Sequence, residues 1–295
     1  MPRVNANNIQ IEYDTFGDPS SKPILLIMGL GGQMIDWDKE FCELLVNRGF
    51  YVIRFDNRDV GLSTKFEESG IPDVMAIIDA VQAGETVETP YSLEDMADDA
   101  IGLLDALNVG RVHVCGASMG AYISQIVAFQ HPSRVLSLTS IMGSTGNPDL
   151  PSPTQEALRI LFTQMPTERE AYLEESIKGW RILYGSGFPF DEKKWRTDLA
   201  NSYDRCFYPP GEERQLAAIR ANGNRKPKLA SIKVPTLVIH GADDPLVPVE
   251  GGKDTVEAIL DAQLLIIKGM GHSLPPETWP QIVEAITDNT NKAYK

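Results

Sequence analysis

The 295-residue chain is predicted to fold as an α/β protein, a mostly parallel central sheet flanked by helices, with a helical segment inserted into it. Three observations predict this. Short runs such as residues 24–28 are apolar throughout, as strands buried on both faces must be. Stretches with apolar residues at helical spacing separate those runs, which is the alternation of a helix-covered parallel sheet. The rhythm breaks once, between Gly143 and about Lys228, where prolines and aromatics replace the strand signal.

The elements follow in order. Residues 9–13 alternate as a half-exposed strand does, and residues 24–28 form the first fully buried strand. A helix is expected from Trp37 to Arg48, stopped by Gly49. The next strands are residues 51–55, 112–115, 135–142, 236–240 and 264–267. Ser92 is a natural N-cap with Asp95 three residues on; Leu93, Met96, Ala100, Leu104 and Leu107 then form one apolar stripe that Gly110 should end. A third helix should start at Ser118 and end near Gln130, because Pro132 forbids its continuation. The core domain is thus expected in residues 1–142 and 229–295, and a helical cap in residues 143–228.

Composition narrows the function. Lys and Arg number 27 against 41 Asp and Glu, a net charge of −14. Nucleic acids and anionic membranes favour clustered positive charge, so neither is an expected partner. Three scattered cysteines, Cys42, Cys115 and Cys206, make no disulfide framework and suit a reducing, cytoplasmic setting. Residues 1–8 hold no apolar run of the kind a signal peptide needs. The longest apolar stretch, residues 24–30, falls far short of the roughly 20 residues that span a bilayer.

The chemistry is concentrated in loops that follow strands. Residues 112–121 read as a strand running through Gly116-Ala117-Ser118-Met119-Gly120 into a helix. That is the context in which G-x-S-x-G presents a nucleophile: Ser118 sits on a sharp turn, and small neighbours let the chains approach. A serine needs a base, and the chain has four histidines. His113 lies within a strand, His131 precedes Pro132 at a helix end, and His240 ends a strand beneath the sheet edge. His272 lies in a glycine-rich loop after the last strand, where parallel sheets assemble their sites, and is the expected base. The acid should follow the strand ending at His240, where Asp243 and Asp244 both stand. Two backbone N–H groups should hold a developing oxyanion: that of Met119, and that of Leu30 in the glycine-rich loop after the first buried strand.

These residues resemble the α/β-hydrolase superfamily over nearly the whole chain. Gly29-Leu30-Gly31-Gly32 matches the oxyanion loop, with Met28 in place of the more usual histidine. Asp56-Asn57-Arg58-Asp59-Val60-Gly61-Leu62-Ser63 matches a D-x-R-x-x-G-x-S turn that supports the site. His240-Gly241-Ala242-Asp243-Asp244 matches H-G-x-x-D, whose last residue is the acid, which implies Asp244. The segment from Lys178 to Asp191, with Met28-Gly29, Leu138-Thr139 and Gly269-Met270-Gly271-His272, is similar to the aclacinomycin methylesterase family of polyketide-tailoring ester hydrolases. The resemblance implies an α/β-hydrolase fold with a helical cap and a Ser118–Asp244–His272 esterase working through an acyl-enzyme on small to medium apolar esters. It requires no cofactor and no metal. Gly29, Trp37, Trp180, Tyr184 and Phe188 are the pocket residues expected on this reading. The partner implied is a small-molecule ester, with a homodimer as an assembly the chain could form.

Other chemistries share the frame. Haloalkane dehalogenases and epoxide hydrolases need an aspartate where Ser118 stands. Perhydrolase or haloperoxidase-like activity, and lactone or C–C bond hydrolysis, use the same triad. A receptor that keeps the fold but turns over little is the alternative from a different class.

Overall fold

The computed structural model describes residues 2–294. It opens with a hairpin that the sequence reading passes over: β1 (Arg3–Ala6) pairs antiparallel with β2 (Ile9–Phe16). Asn7 and Asn8 between them take left-handed angles, φ 47° and 64°. A two-residue hairpin turn requires such angles and asparagine tolerates them, so Asn-Asn was the available signal.

The remaining strands are β3 (Lys22–Ile27), β4 (Phe50–Phe55), β5 (Val112–Ala117), β6 (Val135–Ile141), β7 (Thr236–Gly241) and β8 (Gln263–Ile267). They complete an eight-stranded sheet in the order β1-β2-β4-β3-β5-β6-β7-β8, parallel from β4 onward. All seven expected strands are present, each within a few residues of its expected ends. Between β3 and β5 the winding reverses: the chain leaves β3 toward β4 and leaves β5 toward β6. Such a switch point opens a crevice beyond the carboxyl ends of the two strands, where α/β sheets bind ligands.

Alternate residues on each strand face opposite layers. Leu25, Ile27, Ile53 and Val114 pack under α3 (Leu93–Ala106) and α4 (Met119–Gln130). Ile24, Leu26, Val52 and Cys115 pack under α1 (Lys39–Val46) and α11 (Trp279–Asn291). Ser92 and Asp95 form the expected capping box on α3. That helix ends sooner than expected, because Asn108 rather than Gly110 takes the left-handed angle (φ 56°). Asp38 caps α1 through the Glu40 N–H, so the helix starts at Lys39 and not at Trp37.

After β6 come the helices α5 (Gln155–Phe162), α6 (Arg169–Leu183), α7 (Glu192–Arg205) and α8 (Pro209–Asn222). The short α9 (Lys226–Leu229) leads to β7, and α10 (Val249–Ala258) links β7 to β8. An unforeseen helix, α2 (Val74–Gln82), is capped by Asp73 and packs Val74 and Ile77 against Leu216 and Ala217 of α8. No helix among the described residues is long and apolar enough to cross a membrane.

Candidate active site

The sharpest local feature is the junction of β5 and α4. Ser118 alone separates them and takes φ 55°, ψ −120°, a conformation that costs a non-glycine residue about 1–3 kcal/mol. The packing around it leaves no slack. A β carbon on Gly116 would lie 2.0 Å from the Gly120 carbonyl oxygen, and one on Gly120 would lie 2.0 Å from that of Ile27. The strain points the Ser118 hydroxyl outward at the switch point, above the first turn of α4.

His272 reaches this hydroxyl from the loop after β8. Its Nε2 lies 2.9 Å from Ser118 Oγ, and its Nδ1 lies 2.7 Å from Asp244 Oδ2. The three groups therefore form one continuous hydrogen-bonded line. The other carboxylate oxygen of Asp244 accepts the N–H groups of Leu246 and Val247, each at 2.9 Å. Burial alone would raise the Asp244 carboxyl, but the imidazoles of His272 and His240 hold it well below the usual carboxylate range. His240 donates its Nε2 proton to the Val247 carbonyl at 2.7 Å and stands 3.6 Å from Asp244. Asp243 points elsewhere: its carboxylate accepts from Ser186 Oγ at 3.3 Å. His113 is buried between Ser137 and Tyr294, and His131 pairs with Asp98.

The loop after β3 presses on Ser118. A β carbon on Gly29 would stand 3.1 Å from Ser118 Cβ. Neither the Leu30 nor the Met119 N–H donates to an acceptor among the described residues. Three side chains fix the loop: Asn57 donates to the Met28 carbonyl at 3.0 Å, Gln215 accepts the Gly31 N–H at 2.9 Å, and Asp56 accepts the Met34 N–H at 2.8 Å. Asp56 also accepts the Leu62 N–H and binds Arg205 of α7 at 2.7 Å. In the same turn Arg58 grips Asp99 with two nitrogens, and Arg214 of α8 grips Asp59 likewise. Gln215 and Arg205 hold this loop and turn in place and are missed by the sequence reading.

The 143–228 segment touches the histidine loop as well. The C-terminal carbonyls of α6 accept hydrogen bonds from the histidine loop: Leu183 from the His272 N–H at 2.6 Å, and Tyr184 from the Gly271 N–H at 3.0 Å and Ser273 Oγ at 3.2 Å. The Gly187 N–H returns a bond to Gly269 at 2.9 Å. Here the two backbones meet so closely that a β carbon on Gly187 would lie 2.4 Å from Gly269 Cα.

The five expected pocket residues separate. Gly29 stands beside Ser118. Trp37 is only 1% exposed and packs in the core beside Phe41, their rings 5.6 Å apart, because α1 starts after it and turns it inward. It lines no open pocket. Tyr184 is 3% exposed, its ring enclosed by Phe190 and Trp195 inside the cap. Trp180 stacks on Trp195 at 4.7 Å within the same cluster, and Phe188 packs against the core under the histidine loop.

Comparison with known proteins agrees with this architecture. A family model described as alpha/beta hydrolase fold matches residues 22–277. Rhodomycin D methylesterase DnrP of Streptomyces peucetius is 30% identical over 311 residues, covering 98% of both chains. Rhodomycin D methylesterase DauP of Streptomyces sp. (strain C5) is 29% identical, also covering 98% of both. Among solved structures, a thermophilic esterase from Thermogutta terrifontis superposes with a TM-score of 0.74 at 22% identity, covering 100% of both chains. With a matched model spanning most of the sheet and its site, and relatives alike from end to end, the chain belongs to the α/β-hydrolase family.

Proposed function

We propose that Ser118, His272 and Asp244 are the catalytic triad of a carboxylesterase of the methylesterase type, with the Leu30 and Met119 N–H groups as its oxyanion hole. The chain is an enzyme, a hydrolase acting on carboxylic ester bonds. The observation that carries the triad is the unbroken line Asp244–His272–Ser118, with links of 2.7 and 2.9 Å, ending on a serine held at φ 55°. Asp244 accepts the Nδ1 proton of His272, which leaves Nε2 free to take the serine proton. Ser118 Oγ attacks the ester carbonyl, and the two N–H groups receive the oxyanion; losing one such donor typically costs about 3–4 kcal/mol. His272 then returns its proton to the departing alkoxide. Water, deprotonated by the same nitrogen, hydrolyses the acyl-enzyme.

Residues 143–228 act in this reading as the cap over the acyl site, excluding water and favouring an apolar acyl body. The relatives' methyl-ester chemistry makes methanol the expected leaving alcohol. A cytoplasmic setting fits the three free thiols. The test is hydrolysis of p-nitrophenyl and methyl esters by wild type and Ser118→Ala, with a fluorophosphonate as covalent probe. Wild type should turn over and be labelled at Ser118, and the variant should do neither. Turnover by the folded variant, or label on another residue, overturns the assignment.

A further inference from the structure

The loop after β3 is pinned from the core at its two ends, by Asn57 on the Met28 carbonyl and by Asp56 on the Met34 N–H. Its middle is a tight turn. The Gly32 N–H donates to the Gly29 carbonyl at 3.2 Å, with Leu30 and Gly31 at the two central positions. Gly31 takes φ 66° and Leu30 has no positive φ, which is the pattern of a type II turn. A glycine at that position accepts either orientation of the Leu30–Gly31 peptide, type II with its φ positive or type I with it negative. The turn alone therefore does not settle which way this peptide faces, and the Leu30 N–H belongs to the peptide next to it.

What settles it is α8. Gln215, fully buried, accepts the Gly31 N–H with Oε1 at 2.9 Å and donates from Nε2 to the Arg58 carbonyl, also at 2.9 Å. An N–H on one side and a carbonyl on the other leave the amide a single orientation. The Gly31 N–H is the group that a type I turn would swing away, so this bond exists in one form of the turn and not in the other. Two further contacts of the helix close on the same spot. Leu30 packs against the cluster that holds Leu216 and Ala217. The Glu212 carboxyl group lies against Gly31, where a β carbon would stand 3.1 Å from its carboxyl carbon. Residues 212, 215 and 216, one face of α8, thus hold the tip of the turn while the core holds its ends.

We propose that Gln215 is a positioning residue of the oxyanion hole: by selecting the type II orientation at Leu30–Gly31, it aims the Leu30 N–H. This rests on the esterase reading and its Leu30 donor. It adds that the segment inserted between β6 and β7 supplies part of the catalytic geometry, from 184 residues away.

The test compares hydrolysis of p-nitrophenyl butyrate by wild type, Gln215→Met and Gln215→Glu. Methionine fills similar space and bonds to neither group. Acylation and deacylation both pass through an oxyanion, so Q215M should lower kcat about 10- to 100-fold with KM within about twofold of wild type. Affinity for a trifluoromethyl ketone, whose hemiketal with Ser118 places an oxyanion in the same hole, should fall by a similar factor. At about pH 6 a buried carboxyl keeps its proton, so Q215E can accept from Gly31 and donate to Arg58 as the amide does, and should recover most of the lost rate. Gln215→Asn, whose amide falls one carbon short of Gly31, replaces Q215M should that variant not fold. Wild-type kcat in Q215M, a loss confined to KM, or no recovery in Q215E overturns the proposal and leaves Gln215 as a structural tie. Hydrolysis by the wild type alone judges the esterase reading, whatever the Gln215 variants do.

Discussion

Replacing Asp244 by asparagine changes one oxygen to an amide and leaves the shape of the site intact. In the native protein Oδ1 is occupied by two backbone N–H groups, so only Oδ2 is available to His272. An asparagine that keeps the backbone bonds must turn its NH2 toward Nδ1. The histidine then carries its proton on Nε2, facing Ser118 with the wrong tautomer, and cannot act as base. The counter-charge for the imidazolium is lost too. Two unit charges 2.7 Å apart at an effective dielectric near 20 attract by about 6 kcal/mol, equivalent to roughly 10⁴-fold in rate. The assay is steady-state hydrolysis of p-nitrophenyl butyrate. Asp244→Asn should lose about four orders of magnitude in kcat with little change in KM, and Asp243→Asn should stay within about twofold of wild type. An Asp244→Asn enzyme retaining a tenth of wild-type kcat, or an Asp243→Asn enzyme falling with it, refutes the assignment of the acid.

Two further outcomes concern stability. Gly120→Ala drives a β carbon to 2.0 Å from a backbone oxygen and should cost at least about 3 kcal/mol, lowering the calorimetric Tm by roughly 6–12 °C. Gly110→Ala, which meets open space, is the control, and equal melting of the two variants sinks the packing argument. Burial depresses the His113 imidazole to about 4, so the native state resists the proton that the unfolded chain accepts near pH 6.5. Its contribution is therefore intact above pH 6.5 and is lost as pH falls toward 4, by about 3 kcal/mol. Urea unfolding at pH 7 and pH 4 should show wild type losing that much more than His113→Gln; parallel losses contradict it.

The site was legible in the sequence to the extent that its chemistry is local. Ser118, His272 and the Asp243-Asp244 pair each follow an apolar run that can only be a buried strand, and a parallel sheet brings such loops to one edge. The choice between the two aspartates was not local. It needed the resemblance; in the structure Asp244 is wrapped by the N–H groups of its own turn and faces His272, while Asp243 faces Ser186. The pocket aromatics were illegible because a tryptophan at helical spacing reads the same whether it faces a ligand or a core. Trp37 went to the core. Gln215 and Arg205 act through contacts spanning more than 140 residues, and no periodicity announces such a contact.

The seam between α6 and the histidine loop ties inheritance to mechanism. Because the helix end holds the main chain of His272 itself, residues 143–228 and the proposed base move as one mechanical part. A foreign cap grafted onto this core would have to bring its own α6 terminus and a matching Gly269–Ser273 loop, or leave the base adrift. Of the inserted helices, α7 and α8 are also tied to the core, through Arg205, Arg214 and Gln215, which leaves α5 as the one whose replacement disturbs these supports least.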